Sequence, residues 1–63
     1  MSIVIYSNTK QGYYASISHY KNSMLYHLFI CDIYGSIVKK GNYTSFNAAK
    51  QAIKQFYERE GIL

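Results

Sequence analysis

Proline is absent from the sequence, so no residue is lost to a ladder or helix for want of an N–H. Tryptophan is absent too, and cysteine occurs once, at Cys31. One cysteine excludes an intramolecular disulfide and fits a reducing compartment. Acidic residues are scarce: Asp32, Glu58 and Glu60 are the only three. Arginine is scarcer still, since six of the seven cations are lysine and Arg59 stands alone. That shortage weighs against base and phosphate reading, which relies on the planar guanidinium fork. Long apolar runs are also missing. The start, "MSIVIYSNTK", holds four consecutive apolar residues; it reads as neither a signal peptide nor a membrane span, and a soluble cytoplasmic protein is expected.

What is present is aromatic and basic. Eight tyrosines and three phenylalanines make 17% of 63 residues. A domain this short buries only about 60% of the surface its unfolded chain exposes, so several tyrosines must lie outside the core. The net charge of +4 permits an acidic protein surface or a nucleic acid as partner and requires neither.

The pattern along the chain predicts one domain, residues 1–63, of the α+β class. An antiparallel sheet of three or four strands carries one C-terminal helix on one face. Ile3 to Tyr6 reads as a strand. "GYYASISHY" alternates from Gly12, with Tyr13, Ala15, Ile17 and His19 on one side and Tyr14, Ser16, Ser18 and Tyr20 on the other. "KNS" at 21–23 reads as a turn, Met24 to Tyr34 as the third strand, and Ile37 to Lys40 as the fourth, joined by a two-residue Gly35-Ser36 loop. That loop would set Asp32 opposite Lys39. From Ser45 the period changes. Phe46, Ala49, Ile53 and Phe56 form a helical stripe over roughly 45–60, with Thr44 or Ser45 as cap and Gly61 at the end, where Ile62 can fold back on the last turn.

The third strand is apolar on both sides, yet only one helix is available to cover the sheet. The expected covered set is Ala15, Ile17, Leu25, Phe29, Cys31, Ile33 and Val38, the more aliphatic one. The other face then presents Tyr14, Ser16, Ser18, Tyr20, Met24, Tyr26, Leu28, Ile30, Asp32, Tyr34, Ile37 and Lys39. The reverse assignment leaves Leu25, Phe29 and Ile33 uncovered instead. A third arrangement folds the first strand and Ile62-Leu63 over part of the open face. Tyrosine and methionine are enriched at protein interfaces while lysine and glutamate are depleted, so the open face is expected to bind. Tyr14, Tyr20, Tyr26, Tyr34, Leu28 and Ile30 are the expected anchors, with Lys21 and Lys39 at the rim. The expected partner is a host protein or nucleoprotein complex, or a second copy of the chain in a homodimer. The alternative is nucleic acid, held on the same face by the lysine rim.

No catalytic or metal motif competes with this reading. His27 and Cys31 are four residues apart on one strand, roughly 13 Å, too far for a nucleophile–base pair or a shared zinc. His19 has no partner in the simplest register, where His27 faces Ile17. The glycines are isolated and form no phosphate loop. The chain is expected to be no enzyme and to need no cofactor or metal.

The segment "DIYGSIVKKGNYTSFNAAKQA" carries Asp32, Gly35, Gly41, Tyr43, Ser45, Ala49 and Ala52 in a hairpin-to-helix pattern. It resembles the three-stranded-sheet-plus-helix DNA-binding domains of the plant ethylene-response type and of integrase arms. The resemblance implies that fold, with a sheet that docks in the major groove. It covers about a third of the chain. Ala48 stands where those families carry an acidic residue, and the sheet lacks their basic and tryptophan readers, so the fold is expected to carry over and the DNA reading is not. In size and in its Ile/Lys/Tyr/Asn-rich composition, the chain is also similar to small accessory proteins of phages and mobile elements. Anti-CRISPR inhibitors, which occupy a surface on a host effector, belong to that group.

Overall fold

In a computed structural model, which describes residues 2–62, the chain forms five elements. They are β1 (Ser2–Lys10), β2 (Tyr13–Tyr20), β3 (Tyr26–Cys31), β4 (Ile37–Tyr43) and α1 (Phe46–Arg59). The strands form one antiparallel sheet in the order β1-β2-β3-β4, and α1 packs against β2, β3 and β4. This is the α+β architecture that the sequence predicts.

Each connection has a local cause. Gln11 and Gly12 both take positive φ, 48° and 88°, as the tightest hairpin loop requires. The first strand is therefore longer than Ile3 to Tyr6 and runs to Lys10, with a bulge between Val4 and Tyr6. The β3–β4 loop is not the expected two-residue one. Asp32 Oδ1 accepts the N–H groups of Tyr34 and Ser36 at 2.9 and 3.0 Å, and the Asp32 carbonyl accepts from Gly35. Asp32 is thus occupied as an Asx-turn residue and does not face Lys39, whose partner is Ile30. The strands end earlier as a result: β3 stops at Cys31, and Ile33 and Tyr34 belong to the loop.

The helix is capped at both ends. Ser45 Oγ accepts the Ala48 N–H at 3.1 Å. At the other end Gly61, at φ 74°, donates to the Glu58 carbonyl while Ile62 donates to Tyr57 at 2.8 Å. This paired geometry is the Schellman stop, and it turns Ile62 back into the core, where it is buried.

The core lies between α1 and the sheet. Ala15, Ile17, Leu28 and Ile30 meet Ala49, Ala52, Ile53 and Tyr57. Alanines on both sides let the helix approach the sheet closely. Phe46 touches Tyr6 and Tyr26, and Phe56 touches Tyr13, so aromatic rings close both ends of the layer.

The covered face differs from the expected one on β3. Tyr26, Leu28 and Ile30 point at the helix, while His27, Phe29 and Cys31 point away. The reason is a slip of one residue in the β2–β3 connection. A three-residue turn would set His27 opposite Ile17; the observed partner is Ser18. Ser23 lengthens the turn, its N–H donating to the Tyr20 carbonyl and its Oγ accepting from Leu25. With a side-chain period of two, a one-residue slip exchanges the faces of the whole strand. The third arrangement, in which the first strand and the C-terminus fold over part of the open face, is not adopted either. β1 lies beside β2 as an edge strand and Ile62 is on the helix side; Leu63 lies outside the described residues.

Candidate partner-binding surface

The face that α1 leaves uncovered is built by alternate residues of all four strands. The register aligns Ser7 with Ser16, Thr9 with Tyr14, Val4 with Ser18, Ser16 with Phe29, Ser18 with His27, Phe29 with Lys40 and His27 with Asn42. Two aromatic pairs stand on it. Tyr14 and Phe29 have ring centroids 6.3 Å apart, and Tyr20 meets His27 edge-on at 5.1 Å. Between them lie small residues. Ser16 is fully buried beneath its neighbours, and its Oγ has no hydrogen-bond partner among the described residues. Val4 and Ile37, each 58% exposed, flank the surface on opposite edge strands. A shallow depression runs between Phe29, Ile37 and Lys40.

Charge is nearly absent from this face. Lys40 is its one lysine by register, and the His27 ring is tied to Asn42, with Nδ1 and Oδ1 2.7 Å apart. The surface is aromatic, small and neutral, a composition suited to protein contact. Nucleic-acid binding would require a field of cations here.

The expected anchors divide accordingly. Tyr14 and Tyr20 are on the open face, 39% and 46% exposed. Leu28 and Ile30 are core residues under the helix, 2% and 0% exposed, and cannot serve as contact residues without unfolding; Tyr26 is half-buried on the helix side, against Phe46 and stacked on His19 at 4.5 Å, and so is not part of the open face. Tyr34 stands in the β3–β4 loop, almost fully exposed. Lys39 is on the helix side opposite Ile30, and Lys21 is exposed in the β2–β3 turn. The lysine rim proposed for this face therefore does not assemble. On β3 the open face is occupied by His27, Phe29 and Cys31 instead. The only available signal was Ser23, a residue able to extend a turn through its hydroxyl.

The candidates for chemistry remain apart. His19 and His27 are on opposite faces, Asp32 is committed to its turn, and Cys31 is half-buried opposite Tyr14. Among the described residues no three His, Cys, Asp or Glu side chains are grouped to hold a metal ion. No helix among the described residues is long and apolar enough to cross a membrane. No family model, curated protein or solved structure matches the chain.

A second surface lies on the helix side. The α1 backbone stands away from β1 and meets it only through side chains, Phe46 on Tyr6 and Tyr57 on Asn8, and a groove of about 380 Å³ lies between them. Tyr6, Asn8, Tyr57, Ile53 and Ile62 line its apolar part, and Lys10, Lys50 and Lys54 supply its charge. The Tyr57 hydroxyl reaches Asn8 Oδ1 at 3.4 Å. Burial, and then the neighbouring Tyr6, raise the Tyr57 phenol above the ordinary tyrosine value of 10.0.

Proposed function

We propose that the chain is a non-enzymatic binding protein that docks on another protein through its uncovered sheet face. The observation that carries this reading is the pairing of Tyr14 with Phe29 and Tyr20 with His27 on a face with almost no charge. Rigid aromatics offer large contact area at low entropic cost, and such residues dominate measured binding energies. The scale agrees. The molecule's broadest projection, 35 by 21 Å, compares with the ~800 Å² that each partner contributes to a standard interface. Following the similarity in size and composition to phage accessory proteins, the partner is a host effector in the host cytoplasm, which the protein inhibits by occupying a surface. A second copy of the chain is the other occupant the neutral face admits.

The test is the solution mass over a range of concentrations, with a parallel titration of duplex DNA. A monomer that ignores DNA, or a dimer lost on Phe29→Ala substitution, is the expected result. DNA binding that weakens steeply with salt and depends on Tyr14 and Phe29 would overturn the reading in favour of nucleic acid.

A further inference from the structure

The groove between β1 and α1 has a property the open face lacks, a concentrated positive charge. Lys10, Lys50 and Lys54, half of the six lysines, converge on it against one carboxylate, Glu58. Two of these ammonium groups rest over aromatic rings. Lys10 Nζ is 5.8 Å from the Tyr57 centroid, and Lys50 Nζ is 5.3 Å from Tyr6 and 5.5 Å from Phe46. A ring face attracts a cation without neutralising it, so the charges are positioned and remain available to an anion.

The groove opens beside an unpaired strand edge. β1 is nine residues long and, among the described residues, pairs only with β2, so its outer edge presents free backbone donors and acceptors. Edge strands are normally guarded by charge or proline. β1 carries no charged residue before Lys10. The opposite edge, β4, carries Lys39 and Lys40. Both edges have a break in register, β1 between Val4 and Tyr6 and β4 beside Val38, so charge is what separates them, and the edge without it along most of its length is the one next to the lysine groove.

We propose that this edge and groove together bind an extended acidic segment of a partner protein, which adds to the sheet as a fifth strand beside β1. Backbone hydrogen bonds to the edge provide the affinity. Alternate carboxylates on the helix side of the added strand meet the lysines, which fixes its register. A peptide is favoured over a nucleic acid because the edge recognises backbone amides, which nucleic acids lack, and because no arginine lines the groove. The site is separate from the open face, and either can fail alone.

The probe is a short, labelled, end-blocked peptide alternating glutamate with valine, followed by fluorescence anisotropy at low salt. It is expected to bind, while the same peptide with lysine for glutamate does not. Lys54→Glu, at an exposed position, should weaken binding about tenfold, and pairing it with Lys50→Glu should weaken it further. Phe29→Ala on the far face should leave it unchanged. The deciding probes carry N-methyl groups on alternate amides in the two possible registers: one register should abolish binding and the other preserve it. Equal binding by both methylated peptides would reduce the site to a charge effect and overturn strand addition. Failure of the acidic peptide to bind would overturn the proposal outright, as would displacement of the peptide reading by tight, lysine-dependent binding of single-stranded oligothymidine.

Discussion

The two faces of the sheet are made by the same four strands, often by adjacent residues, and they differ in kind. On the covered face Ala15, Ile17, Leu28 and Ile30 lose essentially all contact with solvent beneath α1. On the other face Tyr14, Tyr20, Val4 and Ile37 remain well exposed, with Ser16 buried among them. The covered face therefore holds the fold together, and the open one is left uncovered. On the function proposed above, β3 is apolar on both sides because it serves two tasks: Leu28 and Ile30 support the helix while Phe29 supports the open surface.

The largest expected effect tests the covered face. Ile17→Ala removes a side chain from beneath the helix and should cost about 2–5 kcal/mol, as large-to-small core changes do. That is a large share of the 5–15 kcal/mol available to a typical domain, and urea unfolding measures it. Phe29→Ala, on the open face, should cost about 1 kcal/mol while removing assembly or partner binding. Equal destabilisation by the two would mean that the open face is core as well, and the comparison would break.

The next effect concerns the end of the sheet where the two hairpin loops meet. At Gly12 an added methyl would stand 2.8 Å from Ile33 Cγ2, and φ there is 88°. Gly12→Ala should cost about 1–3 kcal/mol. Gly61→Ala, at φ 74° with open space around it, should cost only about 1 kcal/mol. A denaturation series on the two variants separates contact from backbone strain.

A smaller effect is readable by pH. The Tyr57 phenol has its pKa raised in the folded chain by burial and then by Tyr6. The folded state therefore holds this proton longer than the unfolded one. Its contribution is complete below the ordinary value of 10.0 and is lost as pH rises through the folded value. Ultraviolet titration should show a late-ionising step that is lost in Tyr57→Phe. The smallest effect is at Ser16. Its hydroxyl is buried and unpaired among the described residues, so Ser16→Ala should be neutral or stabilising by up to about 1 kcal/mol. A marked loss of stability in thermal unfolding would show that the hydroxyl has a partner.

The sequence made some of this legible. The helix could be read to its caps, because Ser45, the 46-49-53-56 stripe and Gly61 all point to the same element. The β2 alternation was equally clear, and its inward set is the observed one. What could not be read was the phase of β3. Because β3 is apolar at nearly every position, its own pattern does not select a face, and the choice falls to a turn whose length depends on one serine. Tyr14 and Tyr20 could be placed on the open face because β2 has polar residues to mark its phase. Leu28, Ile30 and Tyr26 were misplaced because β3 has almost none. Asp32 was misread for a related reason: a carboxylate near a turn can bond its own backbone more cheaply than it can reach a lysine across the strands.

The most direct test of the central claim compares a position on the open face with one on the outer side of the helix. A photo-crosslinking phenylalanine derivative is placed at Tyr14, or at exposed Gln55, and irradiated in cells of the organism that encodes the chain. The account predicts discrete adducts, with a partner or a second copy, from position 14 and none from position 55. Adducts from position 55 alone, or from neither, would contradict it.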